Sequence, residues 1–255
     1  MYLRLSRLRR FTGSTVRIDL GSVDTLYFDP DDWAVRFLSL GSRAKNQESV
    51  SPVVSPMQIR RLSADDELIE IDARHGVYRL EISDGHRPLD AGTTNRIADH
   101  YDLPVFWDGP DVWGEYASPR RLAESAEHSD YRAGALRTRR RTDQRTAVTP
   151  QLYPHNTLMG RGVFSPDGRL GVISDLLIDV NAWRIRYFIV WLQAPGETGE
   201  VLLSPFWVNG PPEKTKVTVP MTTEAIVNGP NFAPEDLEPL DERILARYFG
   251  FLTEQ

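Results

Sequence analysis

Two stretches of this chain, 150 residues apart, align without a gap. Leu20-Gly21-Ser22-Val23-Asp24-Thr25-Leu26-Tyr27-Phe28-Asp29 continues through Pro30-Asp31-Asp32-Trp33-Ala34-Val35-Arg36-Phe37-Leu38. Leu170-Gly171-Val172-Ile173-Ser174-Asp175-Leu176-Leu177-Ile178-Asp179 continues through Val180-Asn181-Ala182-Trp183-Arg184-Ile185-Arg186-Tyr187-Phe188. The shared Leu, Gly, Leu, Asp, Trp and Arg fall in register. A repeat constrains the fold more than any single motif, because the chain must build one structural unit twice. Its 255 residues suit two ordinary domains of roughly 100–150 residues each.

Each copy reads as a meander of short strands. Asp167-Gly168 is a turn signal ahead of Leu170-Gly171, where copy one has Arg17-Ile18-Asp19. A strand follows (residues 23–28 and 173–178) and then a turn. Asp29-Pro30-Asp31-Asp32 carries the Asp and Pro favoured by a type I turn, and Asp179-Val180-Asn181-Ala182 occupies the matching place. The returning strand alternates. Trp183, Ile185, Tyr187, Ile189 and Trp191 lie on one face, with Arg184, Arg186, Phe188, Val190 and Leu192 on the other. Copy one sets Trp33, Val35 and Phe37 against Ala34, Arg36 and Leu38. Period-two patterning of this kind predicts a β-hairpin.

A polar loop and a third strand ending in Ser-Pro come next: Val53-Val54-Ser55-Pro56 and Leu202-Leu203-Ser204-Pro205. A further strand is expected at Leu68-Ile69-Glu70-Ile71 and at Lys216-Val217-Thr218-Val219. Helical spacing closes each copy, with Ile97 and Tyr101 in the first and Leu240, Ile244, Leu245 and Tyr248 in the second. The expected fold is mainly β: two tandem small barrels, each with a short C-terminal helix, joined by a long irregular linker. The boundaries are 1–107 for copy one, 108–155 for the linker and 156–255 for copy two. A short helix within the linker is expected around Leu122–Glu127.

Composition narrows the function. With no cysteine there is no disulfide framework, thiolate metal site or cysteine nucleophile. A net charge of −6 argues against a general polyanion binder. No run approaches the ~20 apolar residues of a membrane span, and the basic, interrupted start fails as a signal peptide. A cytoplasmic setting, with the membrane periphery as the alternative, is expected. The Gly-x-Ser-x-Gly elbow, P-loop and dinucleotide fingerprints are missing, and the five histidines lack paired metal spacing. No enzyme, cofactor or metal site is expected.

The Gly–hairpin–Trp-x-x-Arg-aromatic pattern, followed by the Ser-Pro strand, resembles the PRC-barrel family. That family includes the cytoplasmic part of the photosynthetic reaction-centre H subunit and the C-terminal part of a 16S-rRNA maturation factor. Ile97-Ala98-Asp99-His100-Tyr101 with Val105-Phe106-Trp107, and Leu245-Ala246-Arg247-Tyr248-Phe249-Gly250, resemble the closing helices of bacterial two-copy members. Copy one departs from the pattern: it lacks the Asp-Gly turn before Gly21, and its loop 41–50 has drifted. The resemblance implies a non-enzymatic, adaptor-like protein without catalytic residues to carry over. It also implies a protein partner, in a membrane bioenergetic complex or a ribosome-assembly intermediate. A pseudo-twofold pairing of the copies within one chain, giving a monomer, is expected; a homodimer is the alternative.

Features that occur in both copies serve the fold, so features that occur once are better candidates for function. Asp29 and Asp179 are expected to cap their own turns, and Gly21 and Gly171 to fill tight backbone positions. Trp33 and Trp183 are expected in the core. Arg36 and Arg186 lie opposite their Trp and face either a neighbouring carboxylate or a partner. Partner contact is assigned to Arg36, Arg186, Phe106, Trp107, Trp113, Trp191 and Trp207, with Tyr116 beside them. A second reading is an RNA-associated factor in which Arg137, Arg139, Arg140, Arg141 and Arg145 contact phosphates. A remote third is a small-molecule or enzymatic site between the barrels.

Overall fold

Two glycines shared by the repeat show why the hairpins form where they do. A Cβ on Gly21, which has φ 89°, would lie 2.7 Å from the Gly41 carbonyl carbon; on Gly171 it would lie 2.1 Å from the Trp191 carbonyl oxygen. Backbone passes too close at both positions for any side chain. We expect Gly171→Ala to destabilise its unit by about 1–3 kcal/mol, as an overpacked site does. Gly41→Ala, at ordinary φ with only Ser51 Oγ 3.7 Å from the added Cβ, is expected to have a smaller effect on its own unit in the same denaturant titration. Equal effects would contradict the close-approach explanation.

The computed structural model describes residues 1–41, 50–81, 87–104, 106–107, 109–128, 149–193, 198–208 and 216–251. It is mainly β, with two sheets and several short helices. The chain forms two compact units. The copy-one unit comprises Leu8–His155 with Asn181–Arg184, and the copy-two unit comprises Met1–Arg7, Asn156–Val180 and Ile185–Gln255.

In the copy-one unit, β2 (Thr12–Ser14) and β3 (Asp19–Phe28) form the first hairpin, and β4 (Val35–Gly41) returns along β3. β5 (Val50–Val54), β6 (Ile59–Ser63), β7 (Leu68–Ile71) and β8 (Tyr78–Glu81) complete the order β6-β7-β2-β3-β4-β5-β8. β2 and β7 run parallel. In the copy-two unit, β10 (Gly162–Ser165), β11 (Gly168–Asp179), β12 (Arg184–Leu192), β13 (Glu200–Leu203) and β14 (Lys216–Thr218) follow the order β13-β12-β11-β10-β14, with β10 and β14 parallel. The same sequence of pairings is made twice. Among the described residues neither path closes on itself, so the expected closed barrels are open sheets here.

Each unit also takes a strand from ahead of the other hairpin repeat, β1 from the start of the chain and β9 from the end of the expected linker. β1 (Tyr2–Arg4) pairs with β11, Leu3 opposite Ile178, in the copy-two unit. β9 (Tyr153–Pro154) pairs with β3, Tyr153 opposite Phe28, in the copy-one unit. Leu3 and Tyr153 are 150 residues apart, as are Phe28 and Ile178, so the exchange obeys the repeat. Buried side chains hold the borrowed pieces. Leu3 and Leu5 sink into the copy-two unit, where Asp175 accepts from the Ser6 amide (3.1 Å) and hydroxyl (2.5 Å). In the copy-one unit Nδ1 of buried His155 accepts from the Leu26 amide at 3.1 Å, which places the ring proton on Nε2.

The repeated tryptophans close the hairpin loops instead of beginning the strands. Trp33 has φ 64° and Trp183 φ 49°, a left-handed conformation that is strained for a bulky side chain. Both are buried, and Trp33 stacks on Phe28 at 5.3 Å. The strict alternation expected of the returning strand is also lost, since most of β4 and β12 is buried on both faces.

Five helices complete the described chain. α1 (Leu5–Leu8) follows β1, and α2 (Ala91–His100) is capped by Asp90, whose carboxylate accepts from the Thr93 amide. α3 (Pro119–His128) packs on the Pro56–Gln58 turn, α4 spans Thr223–Val227 and α5 spans Pro239–Tyr248. Among the described residues of the expected linker, 109–118 are bends, turns and isolated bridges, with Trp113 fully buried, and the short helix expected around Leu122–Glu127 lies within α3. In the copy-two unit, Leu245 of α5 joins a core of Leu177, Tyr187, Ile189, Leu202, Trp207 and Leu237.

Candidate functional site

Arg36 was a candidate for partner contact, but it is 1 % exposed. Its guanidinium donates to Asp32 at 2.6 Å, to the Val112 carbonyl at 2.5 Å and to Asp29 at 3.4 Å. The cation sits 5.0 Å from the Trp113 ring centre and 5.4 Å from that of Phe106. Burial, followed by the Asp32 charge, pushes the Asp29 carboxyl up, and the Arg36 charge opposes this. Asp29 also caps its turn as expected, accepting from the Asp31 amide at 3.1 Å. Phe106, Trp113 and Arg36 thus form one internal cluster. Trp113 gives its Nε1–H to the Ala182 carbonyl at 2.6 Å, and Trp107 packs edge-on against Phe106. Tyr116 donates to Ser125 at 2.7 Å. In copy one, the arginine and the aromatics near it hold the unit together.

Arg186 finds a carboxylate too, but a distant one. It binds both oxygens of Glu242 on α5, at 2.6 and 2.8 Å, and Tyr2 donates to the same carboxylate at 3.0 Å. The Glu242 hydrogen bond raises the guanidinium's hold on its proton. Such a bidentate, partly buried pair fixes geometry better than a surface pair does. Trp207 is buried, with Phe251 stacked on it at 5.1 Å.

Besides Met1, Phe206 and Phe251, two apolar features of the copy-two unit face solvent. Trp191 is 45 % exposed, and of the expected partner-contact aromatics it lies furthest out. The second is a stripe on α5. Leu240, Ile244 and Tyr248 recur every fourth residue and are 63 %, 41 % and 46 % exposed. Sequence spacing grouped them with Leu245 on one helix, but the helix buries another side. Glu242, Leu245 and Phe249 meet the sheet, and Ile244 points about 130° away from the middle of that face on a 3.6-residue wheel. The signal was present: apolar residues spread around more of α5 than one docked face can cover. Arg243 and Arg247 flank the stripe, exposed and without an ion-pair partner among the described residues. Asp241, on its other flank, is engaged in capping the Glu238 amide.

Arg137, Arg139, Arg140, Arg141 and Arg145 lie outside the described residues. Among the described residues no group of three or more His, Asp or Glu is placed to hold a metal ion. Nor is any helix among them long and apolar enough to cross a membrane. A scan against protein-family models finds no match for this chain, and a search of the curated proteins finds none either.

Proposed function

We propose that the chain is a non-enzymatic protein-interaction module of PRC-barrel type, two tandem copies of which carry a docking face on the second. The single observation behind this reading is the Leu240–Ile244–Tyr248 stripe, an ordered apolar surface left in solvent beside two exposed arginines. Soluble proteins seldom leave a continuous apolar helix face uncovered without a use for it. The two copies have divided their work: copy one spends its arginine and aromatics on its own core, and copy two keeps Trp191 and the α5 stripe outside. The partner that fits is a protein surface with an apolar groove and an acidic rim; the resemblance to PRC-barrel proteins is the reason to seek it in a membrane bioenergetic or ribosome-assembly complex.

The test is affinity capture from extracts of the native source at low and high salt. Ile244→Glu with Tyr248→Ser is expected to weaken capture more than tenfold, since each buried apolar side chain contributes about 1.5–3 kcal/mol. Deleting residues 137–145 is expected to leave capture intact. Recovery of RNA at low salt alone, lost with those arginines, would replace this reading with the RNA-associated one.

A further inference from the structure

The two units treat the open end of their parallel strand pair differently. In the copy-two unit the β10–β11 turn places Asp167 against the start of α4. Its carboxylate accepts from the Thr223 amide at 3.0 and 3.1 Å and from the Thr223 hydroxyl at 3.1 Å. Ser165 at the end of β10 also lies 2.8 Å, hydroxyl to hydroxyl, from Thr223, so the helix start is tied to this turn. In the copy-one unit the residue matching Asp167 is Arg17, and after β7 the chain continues as Asp72-Ala73-Arg74-His75-Gly76, with no helix. A cleft of about 610 Å³ lies here. Leu68, Ile71 and Ala73 give it an apolar lining, and Arg17, Arg60 and Arg74 reach it.

The guanidinium groups are arranged by a fixed carboxylate. The Asp72 amide donates to the Gln58 carbonyl at 2.8 Å, and its own carbonyl accepts from the Gln58 side chain at 3.3 Å. Its side-chain Oδ2 takes Arg60 at 3.0 Å and Arg74 at 2.6 and 2.7 Å. Burial pushes this carboxyl up, but the Arg74 and Arg60 hydrogen bonds outweigh it and hold it at about 2, so it stays ionised. Arg60 spends one donor on Asp72 among the described interactions, leaving most of its fork for another acceptor. Glu70 is paired with Arg61 at 3.3 Å. Three cleft arginines against Asp72 and Glu70 leave one positive charge in excess in the lining, and two once Arg61, which pairs Glu70, is counted, in a chain whose net charge is −6.

We propose that this cleft binds a small phosphomonoester: a dianionic phosphate held by Arg17, Arg60 and Arg74, with its apolar body over Leu68 and Ile71. The cleft's volume falls in the range of small-molecule sites, and arginine forks suit phosphate oxygens. In copy two the matching turn carries Asp167, which is tied to Thr223 of α4 in place of the arginine.

Phenyl phosphate, inorganic phosphate and phenol are the probes, titrated against the full chain with amide shifts read at Thr15–Ile18 and Asp72–Arg74. Phenyl phosphate is expected to shift those amides, to bind more tightly than inorganic phosphate, and to leave Asp167 and Thr223 unmoved. Phenol is expected to shift neither region. Arg17→Gln with Arg60→Gln, both at exposed positions, is expected to weaken phenyl phosphate at least tenfold while preserving the rest of the spectrum. Binding that survives the double substitution, or no shift at the cleft with phenyl phosphate, would overturn the proposal. Equal binding of inorganic phosphate would overturn the role of the apolar lining.

Discussion

Arg36→Met is expected to destabilise the copy-one unit by about 3–5 kcal/mol, the range for removing one member of a buried ion pair. The methionine fills much of the space but leaves Asp29, 4 % exposed, without its cation and the Val112 carbonyl without a donor. Asp29→Asn is expected to have a much smaller effect, because Asp32 is the nearer carboxylate at 2.6 Å. A pH dependence separates lost charge from lost packing. The Asp29 carboxyl is already raised in the fold, and without Arg36 it rises further. A carboxyl with a raised folded pKa binds more protons folded than unfolded, so stability increases as pH falls through that raised value. The Arg36→Met deficit should therefore shrink on acidification towards the ordinary carboxylate range. Denaturant titrations across that range, followed by Trp fluorescence, check both parts. A deficit that is small or independent of pH would mean that the arginine is not an internal anchor.

Removing Met1–Arg7 is expected to unfold the copy-two unit while sparing most of the copy-one unit. The deletion strips β1 from the edge of β11 and takes out Leu3 and Leu5, each almost wholly buried. Those two side chains alone represent about 3–6 kcal/mol of burial. Asp175 loses both bonds from Ser6, and the Glu242 carboxylate loses Tyr2. A domain with a total stability of about 5–15 kcal/mol does not absorb that sum. Hydrogen exchange on the truncated chain should show amides of β11–β13 exchanging freely and those of β3 and β4 protected. Protection of β11 in the truncated chain would mean that the borrowed strand is an ornament. By the same reasoning, a fragment of residues 156–255 should not fold unless residues 1–155 are supplied.

The repeat carried much of the architecture into view. The hairpins, the Ser-Pro turns and the parallel last strands recur in the order that the register of Gly21 and Gly171 implies. The exchange of β1 and β9 was hidden, since Leu3-Arg4-Leu5 and Tyr153-Pro154-His155 have no residue in common at matching positions. Their pairing is set by contacts across more than a hundred residues, and local propensity is blind to those. Arg36 shows a different limit. Period-two alternation put it on an outer face, but β4 is buried on both sides, and a strand covered on both faces has no outside. The Arg186–Glu242 pair spans 56 residues and depends on how α5 docks. What sequence spacing could show of α5 was its helix, not which of its apolar residues the sheet had room to cover.

The measurement that bears most directly on the proposed function is a hydrogen-exchange footprint of the full chain with and without its captured partner. Protection concentrated on Pro239–Tyr248 and around Trp191, with the copy-one unit unchanged, is the result this account predicts. Protection confined to residues 137–145, with α5 exchanging as freely as before, would contradict it and move the binding function to the arginine-rich segment.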